Sequence, residues 1–311
     1  MCNIWDTDVQ QDQETTLEQK KQFVKSLRGL VEPSFEFHLS GGEPLMTEGV
    51  LDLVNFISLQ GYRTNLVTNG FLIDEAMAKN IADSNLDTLT ISLDGATPQT
   101  HDFIRGINGS YNRVIKAIDY LDRFRKDGKP KISILTIIME RNLDEILKLA
   151  AWVHEDKRIE MISFQAITQP FGEAADSEWF RQEKNNIFWP QDTEKASRVM
   201  EELRKLRLNG YKIGNQYNHF LQFREYFRNP DKFLKKIKCN LGDYEFHVDP
   251  YGKTFFCCFM EPIGNIKTEN LPEIWRSPKA QSIRENVYQC KKNCHIMVNC
   301  FYEDESHQDV K

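Results

Sequence analysis

Between Cys2 and Cys239 the sequence has no cysteine at all, although the 311-residue chain carries seven. The other five, Cys257, Cys258, Cys290, Cys294 and Cys300, crowd the tail beside Cys239. A disulfide scaffold distributes its cysteines through a short secreted chain, so this placement points to metal or cluster ligation instead. Long apolar runs are missing too. A membrane-spanning helix needs roughly 18 apolar residues or more, and the strongest candidate, Ile132 to Met139, is far too short. Positive charge is in deficit: 40 Lys and Arg against 46 Asp and Glu leave a net charge of −6, which argues against a nucleic-acid partner. The polar, acidic start has no signal-peptide pattern. The expectation is a cytoplasmic protein with neither membrane nor nucleic acid as partner.

What is present is ordinary for a globular enzyme, with 40% apolar and 28% charged residues and room for a large domain plus a smaller one. Residues 16–28 have helical spacing, with Leu17, Phe23, Val24 and Leu27 inward. Strand and helix patterns then alternate. Strands are expected at 35–40, 63–68, 88–93, 131–138 and about 160–166, and helices at 48–60, 74–83, 111–125 and 143–154. Alternation of this kind specifies a parallel sheet with helical crossovers, and the near-continuous apolar run at 131–138 is what a strand covered on both faces requires. A β/α repeat that opens on a helix is missing its first strand. The fold class expected is therefore α/β, a partial barrel.

The stretch His38-Leu39-Ser40-Gly41-Gly42-Glu43-Pro44 draws attention within this repeat. A strand ends in two glycines and a proline, and Thr47 is placed to cap a helix with Val50, Leu51, Val54 and Ile57 on one face and Gly61 past its end. Bare glycine backbone lets a ligand approach closely, and Glu43 adds one negative group suited to a cationic amine. Ligands gather at the carboxyl ends of parallel strands. The other ends carry Thr68-Asn69-Gly70, Ser92-Leu93-Asp94-Gly95, Glu140 with Asn142, and Gln165. Singly, Asn-Gly and Asp-Gly are turn dipeptides; five polar ends together favour a binding rim.

Residues 167–238 break the rhythm. Gln169 to Gly172 and Asn185 to Pro190 read as loops with exposed aromatics, 193–208 as a charged helix, and Phe220, Phe223, Tyr226 and Phe227 as a second one. This segment is a connector that either shapes a substrate pocket or packs on the barrel as a linker. From Cys239 the chain reads as a hairpin: 244–248 alternates, Asp249-Pro250-Tyr251-Gly252 turns, and 253–257 returns. A helix near 271–287 leads to Cys290, Cys294 and Cys300. Four convergent thiolates bind either zinc or an iron–sulfur cluster, and spacing does not choose between them. Cys258 follows Cys257 and is expected on the opposite side of its strand, as a packed thiol. His247, His295 and His307 are read as solvated or structural.

With these residues in hand, the chain resembles the radical S-adenosylmethionine (radical SAM) superfamily, in its branch with a C-terminal SPASM or twitch domain. Gly41-Gly42-Glu43-Pro44 is similar to that family's methionine-amino-binding motif. Ile91 to Gly95, followed by His101-Asp102 and Arg105-Gly106, resembles its fourth-strand signature, and Cys239-x12-Gly252-x4-Cys257 the opening of the SPASM/twitch pattern. Cys294-x5-Cys300 resembles part of the close.

The resemblance implies a partial (β/α)6 TIM-like barrel lacking its first strand over 1–168, a helical connector over 169–237 and a small cysteine-rich α+β domain over 238–311. It implies a core 4Fe–4S cluster on a C-x3-C-x2-C motif, S-adenosylmethionine, and one auxiliary 4Fe–4S cluster. The backbone of Gly41 and Gly42 with Glu43 would take the cofactor's amine, and Ser92 and Arg105 its polar tail. Pro44, Asn69 and Asp94 complete the cofactor rim. Cys2 looks like the third core cysteine, and the other two are absent, in keeping with the missing strand and with a chain that starts at an internal methionine; a degenerate relative is the rival. Cys239 and Cys257 are the firmer auxiliary ligands, and Cys290, Cys294 and Cys300 compete for the remaining places. The implied activity is reductive cleavage of S-adenosylmethionine to a 5′-deoxyadenosyl radical that abstracts hydrogen from a peptide, sugar or small molecule, with a flavodoxin- or ferredoxin-type electron donor. The alternatives are a silent scaffold with a structural metal site and an α/β-barrel enzyme with a zinc-braced tail.

Overall fold

The computed structural model describes residues 11–32, 34–170, 173–174, 176–231, 239, 241–290, 294 and 298–299, so Cys2, Cys300, His295 and His307 lie outside the described residues. Five strands, β1 (Glu36–Leu39), β2 (Arg63–Thr68), β3 (Thr88–Ser92), β4 (Lys131–Ile138) and β5 (Ile159–Ala166), form one sheet in sequential order. Every neighbouring pair is parallel, with Leu39 opposite Leu66, Leu66 opposite Leu89, Leu89 opposite Ile132 and Ile134 opposite Ile162. Helices α1 (Leu17–Ser26), α2 (Val50–Leu59), α3 (Glu75–Asp83), α4 (Pro98–Arg105), α5 (Ser110–Phe124) and α6 (Ile146–Glu155) precede and connect them. In β4, Ile132, Ser133, Ile134, Thr136 and Ile138 are all buried, because helices cover one side of the sheet and the barrel interior the other.

Local chemistry sets the helix ends. Thr16 and Gln19 form a capping box on α1, and Asp74 accepts the Met77 amide at the start of α3. Thr47 does not cap α2. Glu43 instead caps a short 3-10 turn, Pro44–Met46, that Thr47 closes, and α2 begins after Gly49, which holds φ at 74° and has no side chain to offer. The stretch between Asp94 and residue 111, expected to be loop, contains α4. Thr97 caps it by accepting from the Thr100 amide, and a second acceptor comes from far away in sequence: Glu145 takes hydrogen bonds from the Ala96 and Thr97 amides and from the Thr97 and Thr100 hydroxyls.

The connector holds α7 (Glu183–Asn186), α8 (Thr193–Leu208) and α9 (Tyr217–Arg228). Trp179, Phe180 and Trp189 are buried and Phe188 half-buried, contrary to the exposed aromatics expected, while Phe171 lies outside the described residues. Trp189 packs edge-on to Tyr226 with centroids 5.2 Å apart and tilts against Phe180 at 4.6 Å, and Trp179 joins the same cluster. The connector also finishes the sheet. Ile162 donates to the Lys212 carbonyl and accepts from the Gly214 amide, both at 2.8 Å. The Asn215 amide pairs with the backbone N–H and C=O of Phe164, at 2.7 and 2.8 Å. Asn299 repeats that pairing on Ala166. The outer edge of β5 thus has its backbone groups satisfied by a segment and two side-chain amides.

In the tail, β6 (His247–Val248), β7 (Lys253–Phe255) and β8 (Gly264–Asn265) make a small antiparallel sheet flanked by α10 (Leu241–Tyr244), α11 (Leu271–Arg276) and α12 (Pro278–Tyr288). The hairpin is shorter than alternation suggested, since residues 241–244 are a helical turn and β7 ends at Phe255. The helix expected at 271–287 is two helices, broken where Ser277 caps the second and Pro278 cannot continue the first. A hydrophobic core joins this tail to the N-terminal helices: Val24, Leu27 and Ile57 pack with Phe256, Ile274 and Ile283. Among the described residues, no helix is long and apolar enough to cross a membrane.

Candidate cofactor rim and thiol site

At the carboxyl end of β1, Gly41 sits at φ 129°, a conformation reserved for glycine, and a Cβ there would meet no atom within 4 Å. The backbone is bare and open. Glu43 lies beside it, and its carboxylate ties β1 to β2: Oε1 accepts from the Thr68 hydroxyl at 2.6 Å and the Leu45 amide at 3.3 Å, while Oε2 accepts from the Asn69 amide at 2.9 Å. A carboxylate has about four acceptor sites, so these three bonds fix its position and leave capacity on Oε2 for one more donor. Asn69 is exposed, and its own Oδ1 is taken by the Phe71 amide. Gly70 is needed for close packing: a Cβ would come within 2.9 Å of Ile91 Cγ2. Pro44 is buried under the turn, whereas Gly42 is exposed.

A buried polar network lies behind the end of β3. Asp94 is fully buried; its Oδ1 accepts from the Ile137 amide at 2.9 Å and its Oδ2 pairs with Arg105 Nη2 at 2.7 Å. The carboxylate of Asp94 therefore anchors Arg105. The Asp94 amide donates to His101 Nδ1 at 3.1 Å, and its carbonyl accepts from Asn142 Nδ2 at 2.8 Å. Burial, and then the Arg105 guanidinium, push the His101 pKa down to about 4 against the pull of Asp94 and Asp102. Its ring is neutral, with Nδ1 as acceptor. Arg105 Nε is buried with no hydrogen-bond partner among the described residues. Ser92 ends β3 and is half-buried.

Two residues in this region have roles that sequence reading missed. Asp102 caps α5, whose own N-cap is Gly109: it accepts from the Gly109 and Tyr111 amides and the Ser110 hydroxyl. Burial raises the Asp102 pKa, but these hydrogen bonds outweigh it and leave the carboxyl below its usual range. Asn142, fully buried, bonds the Asp94 and Ile137 carbonyls and accepts from the Met139 amide. The Asp-x6-Gly-Ser spacing was a legible signal for the cap; nothing local announced Asn142.

The tail brings five described thiols into one neighbourhood. Cys239 lies within electrostatic range of Cys257 and Cys290, and burial pushes its thiol pKa up. Cys258 hydrogen-bonds Cys257 and lies within range of Cys294. Cys294 in turn is close enough to Tyr226 to raise its pKa, after burial, and the Tyr226 hydroxyl donates to the Ile167 carbonyl just past β5. The Phe259 amide points at Cys257 Sγ, 3.5 Å away, as a donor to a thiolate would. Cys258 is not the packed thiol that strand alternation predicted. The strand stops at Phe255, the chain turns, and Cys258 is exposed beside Cys257. Among the described residues, no three His, Cys, Asp or Glu side chains are drawn into metal-coordinating geometry. The donors are soft sulfur, the chemistry of zinc or iron–sulfur sites.

An α/β parallel sheet with a glycine-bare rim at its strand ends, joined to a thiol-rich tail, defines a class of barrel proteins with an accessory metal domain. The radical SAM superfamily model matches residues 1–153, and the SPASM model, an iron–sulfur cluster-binding domain, matches residues 239–300. The chain belongs to the radical SAM superfamily, in its SPASM branch. An AdoMet-dependent heme synthase of Methanosarcina barkeri is 26% identical over 292 residues, 91% of this chain and 79% of the relative. A PqqA peptide cyclase of Rhizobium meliloti is 26% identical over 76% of this chain, which spans only 58% of that relative. In structure, the chain is similar to Streptococcus suis SuiB bound to precursor peptide SuiA, with a TM-score of 0.64 at 15% identity, covering 87% of this chain and 60% of SuiB. That likeness is one of fold.

Proposed function

We propose that this protein is a radical SAM enzyme that modifies a peptide or a heme-related substrate, with S-adenosylmethionine held at the rim and an auxiliary iron–sulfur cluster in the tail. The observation that carries the reading is the pairing of the two family models on one chain, with the bare Gly41 backbone and tethered Glu43 at the strand ends of the first. When bound, the core cluster and S-adenosylmethionine supply a carbon-centred radical able to take hydrogen from an unactivated carbon. The residues in hand fit the cofactor's amine: one acceptor site on Glu43 is left, beside backbone that no side chain shields. Arg105, fixed by Asp94, and Ser92 would hold the polar tail. The core cluster fits only in part, since a three-thiolate motif finds a single cysteine, Cys2, ahead of Cys239; no step is assigned through it. The thiols of the tail are the donor type an auxiliary cluster takes, with Cys239 and Cys257 as ligands and two of Cys290, Cys294 and Cys300 in the remaining places.

A second reading keeps the same sites, with this chain binding S-adenosylmethionine and an auxiliary cluster without cleaving the former. One assay separates the two. The protein is reconstituted anaerobically with iron and sulfide, mixed with S-adenosylmethionine and dithionite, and scored for 5′-deoxyadenosine; a form extended so that Cys2 completes C-x3-C-x2-C is run beside it. Cleavage by the extended form supports the enzyme. No cleavage by either form, with the auxiliary cluster intact, leaves the binding protein. Cys257→Ala is expected to lose tail iron and sulfide; full retention in that variant rules out the proposed ligand set.

A further inference from the structure

The two faces of the five-stranded sheet are built differently. Leu66, Leu89 and Ile132, aligned across β2, β3 and β4, lie on the helix-covered face and are fully buried. The face turned to the barrel interior carries hydroxyls and amides. Thr90 of β3 aligns with Ser133 of β4, Asn65 of β2 accepts from Thr90, and Ser163 and Gln165 follow on β5. A closed barrel fills its interior with bulky branched side chains. Here Thr90 and Ser133 are buried and Asn65, Ser163 and Gln165 half-buried, so the face is a sheltered polar trough. Asn65 Oδ1 takes the Thr90 hydroxyl at 2.8 Å, which leaves both Nδ2 hydrogens unspent. The Ser133 and Ser163 hydroxyls and the Gln165 amide likewise have no hydrogen-bond partner among the described residues. Charged groups of this face sit at the amino end and are engaged there: Glu36 with His38 at 3.1 Å and Arg63 at 3.8 Å, and Lys131 with Glu160 at 2.8 Å. Neutral groups that both donate and accept suit a ligand rich in N–H and C=O groups and without net charge. A heme-related substrate brings carboxylates, which call for free Arg or Lys, and among the described residues this face offers no unengaged cation.

We propose that the row Asn65–Thr90–Ser133 binds the amide groups of an uncharged peptide segment, with Asn65 Nδ2 as the specificity-determining donor. Of the two substrate classes above, the peptide is then the one this chain takes. The inference deepens the reading of the chain as a radical SAM enzyme and rests on it. The row is placed for that role: Thr90 precedes Ser92 by two residues on the same face of β3, roughly 7 Å along a strand. A peptide lying on it runs beside the place proposed for the cofactor's polar tail. Ser163 extends the trough to β5, and Gly214 stands against it; a Cβ there would come to 2.5 Å from Ser163 Oγ, so the missing side chain leaves that hydroxyl room.

The test is selection from a random library of short N-acetylated, C-amidated peptides by the full chain, reconstituted anaerobically and saturated with S-adenosylmethionine, with hemin as the competing probe. The parent is expected to enrich uncharged sequences. The strongest of these, resynthesised with a fluorophore, should bind Asn65→Asp and Ser133→Ala about tenfold more weakly, the loss of one hydrogen bond in a sheltered site. Asn65→Asp keeps the acceptor for Thr90 but has no N–H to give, and thermal melts check that each variant is folded. Hemin is expected not to displace the peptide. A parent that enriches no peptide overturns the proposal, as does a selected peptide that binds both variants as tightly as the parent, or one that hemin displaces. A parent that retains no S-adenosylmethionine overturns the underlying reading instead, and the two failures are distinct.

Discussion

His101 offers the sharpest pH prediction. Its ring is buried, its Nδ1 accepts the Asp94 amide at 3.1 Å, and its pKa falls from 6.5 to about 4. The cause is burial first and the Arg105 guanidinium second. The folded state therefore binds fewer protons than the unfolded state between these two values. Stability from this group is fully present above the unfolded pKa and is lost as pH falls towards the folded one. A difference of two to three pKa units corresponds to about 3 kcal/mol, most of it lost between about pH 7 and 4.5. In His101→Asn, Oδ1 can take the place of Nδ1 as acceptor for the Asp94 amide, but the side chain does not titrate. Urea unfolding of the metal-free protein and the variant across that range reads the term, together with the smaller coupling of His101 to Asp94 and Asp102. The parent should lose about 2–3 kcal/mol relative to the variant on acidification. A parent-minus-variant difference that stays flat with pH refutes the neutral, buried imidazole.

Gly70→Ala forces a Cβ to 2.9 Å from Ile91 and 3.3 Å from Val114 at φ 74°, so a loss of about 2–4 kcal/mol is expected from overpacking and left-handed strain. Gly61→Ala, at φ 87° with no atom within 4 Å, carries the strain alone and should cost visibly less in the same thermal melts. Glu145→Ala strands the Ala96 and Thr97 amides at the head of α4, a cost of about 1–3 kcal/mol. Hydrogen exchange should show that loss first in residues 98–105, and uniform protection there would contradict the distant cap.

The parallel sheet was legible because its strands are buried on both faces, which writes their limits into composition. β4 begins and ends where the apolar run at 131–138 does, and β2 coincides with the alternating stretch 63–68. Helix α8 was readable for the opposite reason, a long charged amphipathic run capped by Asp192. What failed was whatever depends on a partner far along the chain. In α4 the local signals were present, Thr97 ahead of Pro98 and Gly106 at the end, whereas the Glu145 acceptor of the Ala96 and Thr97 amides, 48 residues beyond Thr97, was not legible. The rim motif was visible in Gly41 to Pro44, but not that Asp94 would turn inward to hold Arg105. Alternation misled in the tail, where strands of two or three residues end before their pattern does, so that Cys258 emerges beside Cys257.

The contacts between tail and barrel bear on how the two sites work together. The tail does not hang from the connector as a separate unit. Its core includes Leu27 of the segment after α1 and Ile57 of α2, and α2 follows directly from the Gly41–Pro44 turn. At the other end, Asn299 clamps Ala166 at the end of β5, close to where Tyr226 bonds Ile167 and senses Cys294. The thiol site is thus braced against both the first and the last described strand of the sheet, and strain at either end has a path to it. The tail thiols are held relative to the rim by packed side chains and backbone hydrogen bonds, not by a linker.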